Sequence, residues 1–208
     1  DGIRFLVDII KGQKTGFFLD QRENRRRFSA YIRPSDRVLD CFCYTGSFAL
    51  YAAMNGAEVR AIDASKRAID IAAETARLNG IESHCRFEVA EAFEWLNHRV
   101  AAADAFDVVN LDPPAFAKER SSVQHALRGY RALNHLAIRL IAPGGFLMSS
   151  SCSQLIEEWD FLNALQAAAH DAGRTIKFLE IRGQAWDHPV AGFFPESRYL
   201  KCVIAQIV

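Results

Sequence analysis

The sequence predicts an α/β domain built on a seven-stranded, mostly parallel sheet. The last strand is antiparallel, helices cover both faces, and a short hairpin-helix annex precedes the sheet. Three observations carry that prediction. From residue 38 onward, short apolar runs rich in β-branched and aromatic residues alternate with longer stretches of helical period, as in a parallel sheet covered on both faces. The last two apolar runs follow each other without room for a long helix, which calls for an antiparallel pair at one sheet edge. The segment before residue 37 lacks the alternation altogether.

Strands are expected at "RVLDCF" (37–42), "EVRAID" (58–63), "CRFEVA" (85–90), "FDVVNLD" (106–112), "GFLMSS" (145–150), "IKFLEIR" (176–182) and "YLKCVIAQI" (199–207). The intervening stretches at 46–54, 65–79, 91–100, about 121–141 and 154–172 carry helical spacing. Ahead of them, "FLVDIIKGQKTGFFLDQRENRRRFSAYI" predicts a hairpin around Lys11-Gly12 and then a helix over about 21–31. The expected division is an annex over 1–36 and a main domain over 37–208.

With 208 residues, half of them hydrophobic, the chain can bury one full core. Its 25 basic and 25 acidic residues cancel, so a nucleic acid would have to be met by a local patch such as "QRENRRRF". The five scattered cysteines do not resemble a disulfide framework, and no CxxC pair or histidine cluster suggests zinc, so a reducing cytoplasm is expected. No segment approaches the roughly 18 apolar residues of a membrane span. The chain starts at Asp1, which suggests a fragment of something longer, and an oligomer is compatible with a surface on which no seam can be read.

In open α/β sheets ligands collect beyond the carboxyl ends of the strands. "VLDCFCYTGSFAL" joins a strand, Asp40, a turn with Gly46 and a helix start; the glycine would let backbone approach a ligand. The glycines do not spell GxGxxG, which weakens a dinucleotide reading. Asp63, ending the second strand, is placed to accept two ribose hydroxyl bonds or to cap the next helix. Glu91, after the third, could face an adenine edge or act as a cap. Carboxylates at three successive strand ends resemble a class I S-adenosylmethionine-dependent methyltransferase, a Rossmann-like fold. The resemblance implies that Asp40, Tyr44 and Gly46 lie under the methionine part, Asp63 and Ala64 at the ribose, and Glu91 with Ala92 at the adenine. Glu91 stands where the family commonly has Asp.

The fourth strand runs into "NLDPPAFAK", where two prolines would fix Asp112 in a defined direction or merely end the strand. In amino-methylating relatives this loop often sets an aromatic directly after the prolines to grip an amine. Here Ala115 intervenes before Phe116. Cys152, in "MSSSCSQL", is either a small core residue or a nucleophile, and its serine neighbours suit an exposed polar loop better than a core. A thiolate adding to carbon 6 of cytosine turns the ring into an enamine able to attack a methyl sulfonium. Asp112 is the natural acid to assist near N3.

Taken together, "GQKTGFFLDQRENR", "DCFCYTGSFAL", "LDPPAFAK", "SSSCS" and "QAWDHPV" with "FPESRYLK" resemble the bacterial large-subunit ribosomal RNA cytosine-C5 methyltransferase family over essentially the whole chain. That resemblance implies Cys152 as nucleophile, Asp112 as its partner, and Phe18, Asp20 and Arg22 in the cofactor pocket. It further implies ribosomal RNA as partner and an N-terminal PUA-type RNA-binding domain ahead of this part. Lys14 and Arg22 could meet a carboxylate or phosphate, or form a solvated face. Arg25, Arg26 and Lys118 are RNA-phosphate candidates with the same alternative, while His188 would shape the RNA pocket or order its loop. Cys41 and Cys43 alternate at a strand end, so one is expected to face the core, and neither receives a catalytic role.

Overall fold

The computed structural model describes residues 2–13, 15–117 and 119–208. Seven strands form one sheet: β1 (Arg37–Cys41), β2 (Glu58–Asp63), β3 (Cys85–Val89), β4 (Phe106–Leu111), β5 (Ile141–Ser151), β6 (Ile176–Arg182) and β7 (Lys201–Ile207). Their order is β3-β2-β1-β4-β5-β7-β6. The pairs among β1 to β5 are parallel, whereas β7 runs antiparallel to both β5 and β6. β7 therefore lies inside the sheet, leaving β6 at the edge. β1 is buried on both faces along Val38–Cys41, so its sequence does not alternate apolar with polar; Val38, Leu39 and Cys41 are apolar, and Asp40 is buried among them.

Helices α2 (Ser47–Met54), α3 (Lys66–Leu78), α4 (Ala92–Ala101), α5 (Val123–Leu140) and α6 (Glu158–Asp171) connect the strands. In α3 the buried positions Ala68, Ile69, Ala72, Thr75 and Ala76 recur at helical spacing. Its start is set by Ser65, whose hydroxyl accepts from the Ala68 amide at 3.3 Å. One core layer includes Phe48, Leu50 and Val59, and a second on the opposite face includes Leu96, Leu133 and Leu147. A third, with Tyr130, Phe161 and Val203, lies where α5 and α6 meet β7.

Before the sheet, α1 (Arg22–Ser29) is shorter than expected, and among the described residues no hairpin forms around Lys11-Gly12. The reason is local. The Asp8 carboxylate accepts from the Ile10 and Lys11 amides at 3.1 and 2.9 Å, while its carbonyl accepts from Gly12 at 3.0 Å. A side chain that satisfies backbone donors in this way replaces the ladder with a turn. The preceding backbone pairs with the Asn79 amide, which accepts from Arg4 N at 2.9 Å and donates to Arg4 O at 2.8 Å. Phe28 fastens α1 to α2 by meeting Phe48 edge-on at 5.5 Å.

Candidate active site

The strand order reverses between β1 and β4, and a cavity of about 460 Å³ opens at the carboxyl ends of those strands. Phe18, Asp20 and Gln21 wall it from the N-terminal side. Phe42 to Tyr44, Asp63 to Ser65 and Glu91 line it from the ends of β1, β2 and β3, and Asp112 to Ala115 with Cys152 from beyond β4 and β5.

The loop after β1 holds backbone in an uncommon conformation: Phe42 has φ 61°, Tyr44 φ 50° and Gly46 φ 79°. Two non-glycine residues in the left-handed region mark a constrained site. Asp63 stabilises it, accepting from the Tyr44 amide at 2.9 Å and the Ser65 amide at 2.8 Å. Each carboxylate oxygen keeps a lone pair for a ligand hydroxyl. Tyr44 turns its hydroxyl to accept from the Gln13 amide at 3.0 Å and meets Phe18 edge-on at 5.5 Å. Glu91 lines the cavity and makes no capping bond to α4, so the cap alternative falls away.

Asp40, Gly46 and Ala92 lie outside the cavity lining. Asp40 is fully buried beneath the loop, where it accepts from the Ala49 amide at 3.0 Å and the Asn110 side chain at 2.8 Å. Burial pushes its carboxyl up to about 7. A Cβ on Gly46 would meet Ala72 Cβ and Phe87 Cε1 at 3.0 Å, so its close approach is to the protein core, not to a ligand.

The arginines also differ from expectation. Arg22 is outside the cavity lining: its guanidinium pairs with Asp187 at 3.0 Å and Glu23 at 3.2 Å, and lies over the Trp186 ring at 5.4 Å. Arg25 is buried in the cavity wall, donating to Phe18 O at 2.7 Å with its guanidinium 4.7 Å from the Phe17 ring centre. The helix α1 turns that position inward, so it offers no surface for phosphates; burial holds its pKa below the usual arginine value, with Tyr51, Asp112 and Asp20 acting the other way. Arg26 remains exposed, 3.7 Å from Glu23. His188 is also clear of the cavity lining, its Nδ1 3.0 Å from Asp187 Oδ1. Lys14 and Lys118 lie outside the described residues.

Around Cys152 a loop does follow β5, but the serines expected to be exposed there are not. β5 continues to Ser151, and Ser149, Ser150, Ser151 and Ser153 are all buried while Cys152 is part-exposed. Most of these hydroxyls are paired inside the fold: Ser150 accepts from Gln21 at 3.3 Å, and Ser153 accepts from the Ala117 amide at 3.3 Å and lies 3.2 Å from the Tyr130 hydroxyl. Phe116 packs on Tyr130 with ring centres 4.6 Å apart and is not part of the cavity lining. A second cavity of about 380 Å³, lined by Ala115, Ala117, Cys152, Ser153, Gln154, Leu155 and Tyr199, shares Cys152 and Ala115 with the first. Both Cys41 and Cys43 are buried, and burial pushes both thiols well above their ordinary value.

Sequence reasoning missed Phe42, Phe48, Gln13 and Gln21 in the wall, and Tyr199 and Lys201 beside Cys152. Tyr199 donates to Asp20 Oδ2 at 2.7 Å, leaving Asp20 Oδ1 buried without a hydrogen-bond partner among the described residues. The signal for Lys201 was a lone cation inside the apolar run "YLKCVIAQI".

A family model described as S-adenosylmethionine-dependent methyltransferase matches residues 1–192. The chain belongs to that family. The fit to S-adenosylmethionine is visible in the methyltransferase cavity: two carboxylates at strand ends for hydroxyl and amino donors, phenylalanine walls, and the spare Asp20 oxygen. Among curated proteins, the chain is 45% identical over 207 residues to ribosomal RNA large subunit methyltransferase I of Aeromonas hydrophila, covering 99% of this chain and 52% of that protein. It is 42% identical over 209 residues to the protein of the same name from Shewanella denitrificans, again covering 52% of it. The chain thus spans about half the length of the curated relatives it matches. The crystal structure of SMU.776 complexed with SAH superposes with TM-score 0.87 at 23% identity, over 99% of this chain and 54% of that one. The SAM-dependent methyltransferase from Agrobacterium tumefaciens gives 0.71 at 20% identity, over 99% and 67%. Both bear out the seven-stranded methyltransferase fold.

Proposed function

We propose that the chain methylates carbon 5 of a cytosine in large-subunit ribosomal RNA through a covalent bond between Cys152 and carbon 6 of the ring. The observation that carries this reading is the position of Cys152 at the junction of two cavities. The larger fits the cofactor, and the smaller would receive the base from the other side of the sulfur. Ribosomal RNA as substrate follows the names of the relatives, and residues 1–36 serve as an annex because Phe28 and Ile32 join the core of the rest.

Bound S-adenosylmethionine supplies an electrophilic methyl on a sulfonium. Asp63 would hold the ribose hydroxyls, Glu91 the adenine side, and Phe18 and Phe42 the apolar walls. In the reaction the Cys152 thiolate gives its electron pair to carbon 6, and Asp112 delivers a proton toward N3 as the carbon 5–carbon 6 double bond becomes an enamine. Carbon 5 would then take the methyl as its bond to the sulfonium breaks, the electron pair of that bond staying on the departing sulfur. Loss of the carbon 5 proton to a base and of the N3 proton restores the double bond and expels the thiolate. Phe116, turned onto Tyr130, is not placed to clamp an exocyclic amine, which argues against methylation of a base nitrogen.

The test is methyl transfer to large-subunit ribosomal RNA with nucleoside mass spectrometry of the product. Wild type is expected to yield 5-methylcytidine, and Cys152→Ala none while still binding S-adenosylmethionine in calorimetry. Undiminished transfer by Cys152→Ala would overturn the covalent reading.

A further inference from the structure

Lys201 is a cation buried at the first position of β7. Its backbone faces Ser151 across the β5–β7 ladder, one residue before Cys152. The ammonium donates to the Ser153 carbonyl at 2.6 Å and the Tyr199 carbonyl at 3.0 Å. It is thereby clamped to the residue on the other side of Cys152, and it lies within electrostatic reach of the sulfur. Among the described residues no carboxylate is bonded to the ammonium, and such a buried lysine is uncommon, because removing the charge from water is costly unless something opposite compensates. Carbonyl dipoles supply part of that compensation here. A thiolate would supply the rest.

We propose that Lys201 is the counter-ion of the Cys152 thiolate, a positioning residue that keeps the sulfur charged for addition to carbon 6 and steadies it when it departs. The inference rests on the covalent reading above for its catalytic meaning, but the pairing itself is a property of the protein alone. No proton moves between the two groups in the addition: the sulfur's electron pair forms the bond to carbon 6, and on release the same pair returns to sulfur beside the ammonium.

The charge balance around the pair supports this assignment. Burial pushes Lys201 down to about 8, with Cys152, Glu157 and Glu158 pulling it up and Arg198 pushing it down. An ammonium with that value is still mostly protonated at neutral pH. Among the described residues, titratable groups near the pair include Tyr199 ahead of β7 and Tyr130 from α5, with Asp20, Arg25 and Asp112 in the wall of the larger cavity that Cys152 lines. Burial raises both tyrosines above their ordinary value, so neither competes as an anion near neutrality. Two hydrogen bonds to carbonyls on either side of the β5–β7 pairing fix the Lys201 ammonium next to the Cys152 backbone.

The experiment is the pH dependence of Cys152 carboxamidomethylation by iodoacetamide in the intact chain, read from the mass of the Cys152 peptide. Wild type is expected to show its half-maximal rate below about pH 8.5, the value of an unperturbed thiol. Lys201→Gln keeps amide donation to the two carbonyls without the charge, and is expected to raise the inflection by about one pH unit or more, a tenfold loss of thiolate at neutral pH. Lys201→Arg, which keeps the charge, is expected to stay closer to wild type. A wild-type inflection at or above about 8.5, a folded Lys201→Gln with the wild-type inflection, or an Arg variant displaced as far as the Gln variant would overturn the proposal. Because alkylation needs no RNA, this result is separate from the fate of Cys152→Ala in methyl transfer.

Discussion

Asp40 gives the sharpest quantitative prediction. Its carboxyl is enclosed beneath the β1 loop, and burial is the first cause of its rise from the ordinary 3.8 to about 7. The Asp112 and Asp63 carboxylates push the same way, while the bonds from Asn110 and the Ala49 amide oppose them. Between those two values the folded protein holds a proton that the unfolded chain has released. Stability therefore falls as pH rises through the window and levels off above the folded value. At 1.36 kcal/mol per pH unit, the full loss is about 4 kcal/mol. Asp40→Asn removes the linkage while retaining an oxygen for the Ala49 amide. The Asn110 amide, whose Oδ1 has no partner among the described residues, can turn to accept from the new side-chain nitrogen. Urea unfolding of both proteins across pH is expected to show the variant gaining about 3 kcal/mol on wild type between about pH 5 and about pH 8.5. Stability curves that stay parallel over that range would refute a buried, proton-holding Asp40.

Gly46→Ala places a methyl in the left-handed region and 3.0 Å from Ala72 and Phe87, so it is expected to cost about 2–4 kcal/mol, read as a lowered urea midpoint; an unchanged midpoint would contradict the packing. Asp63→Asn should weaken S-adenosylmethionine binding by about ten- to a hundredfold in calorimetry, the worth of a charge-assisted hydrogen bond, whereas Glu91→Gln should leave unfolding unchanged, because its carboxylate caps nothing in α4. Equal loss of stability in the two would show that both carboxylates are structural.

The alternation of short β-branched and aromatic runs with stretches of helical period located every strand, including β3 and β6, where no residue is fully buried. Where it failed, a polar side chain or a distant partner decided. Asp8 consumed the amides that a hairpin at Lys11-Gly12 would have used. Arg25 resembled its neighbours in a basic run, but the phase of α1, fixed by Phe28 in the core, turned it inward. The serines flanking Cys152 suggested exposure and are instead buried, with β5 running one residue past the expected strand end and Gln21 bonding Ser150 from far away in sequence. Asp63, Glu91, Asp112 and Cys152 were legible because strand ends converge on one edge whatever the loops do.

The insertion of β7 explains why Lys201 escaped notice and why it stands where it does. In a parallel sheet each strand delivers its last residues to the ligand edge, so a reader of the sequence searches strand ends. β7 runs the other way, between β5 and β6, and delivers its first residue to that edge. The same reversal sets Tyr199 and Leu200, just ahead of the strand, against the two cavities. In this sheet the two directions of chain supply different chemistry at a shared edge: carboxylates and the thiol come from the ends of parallel strands, and the buried cation from the start of the antiparallel one. A charged residue opening an otherwise apolar, antiparallel strand is therefore a site candidate on topological grounds, before any partner is known.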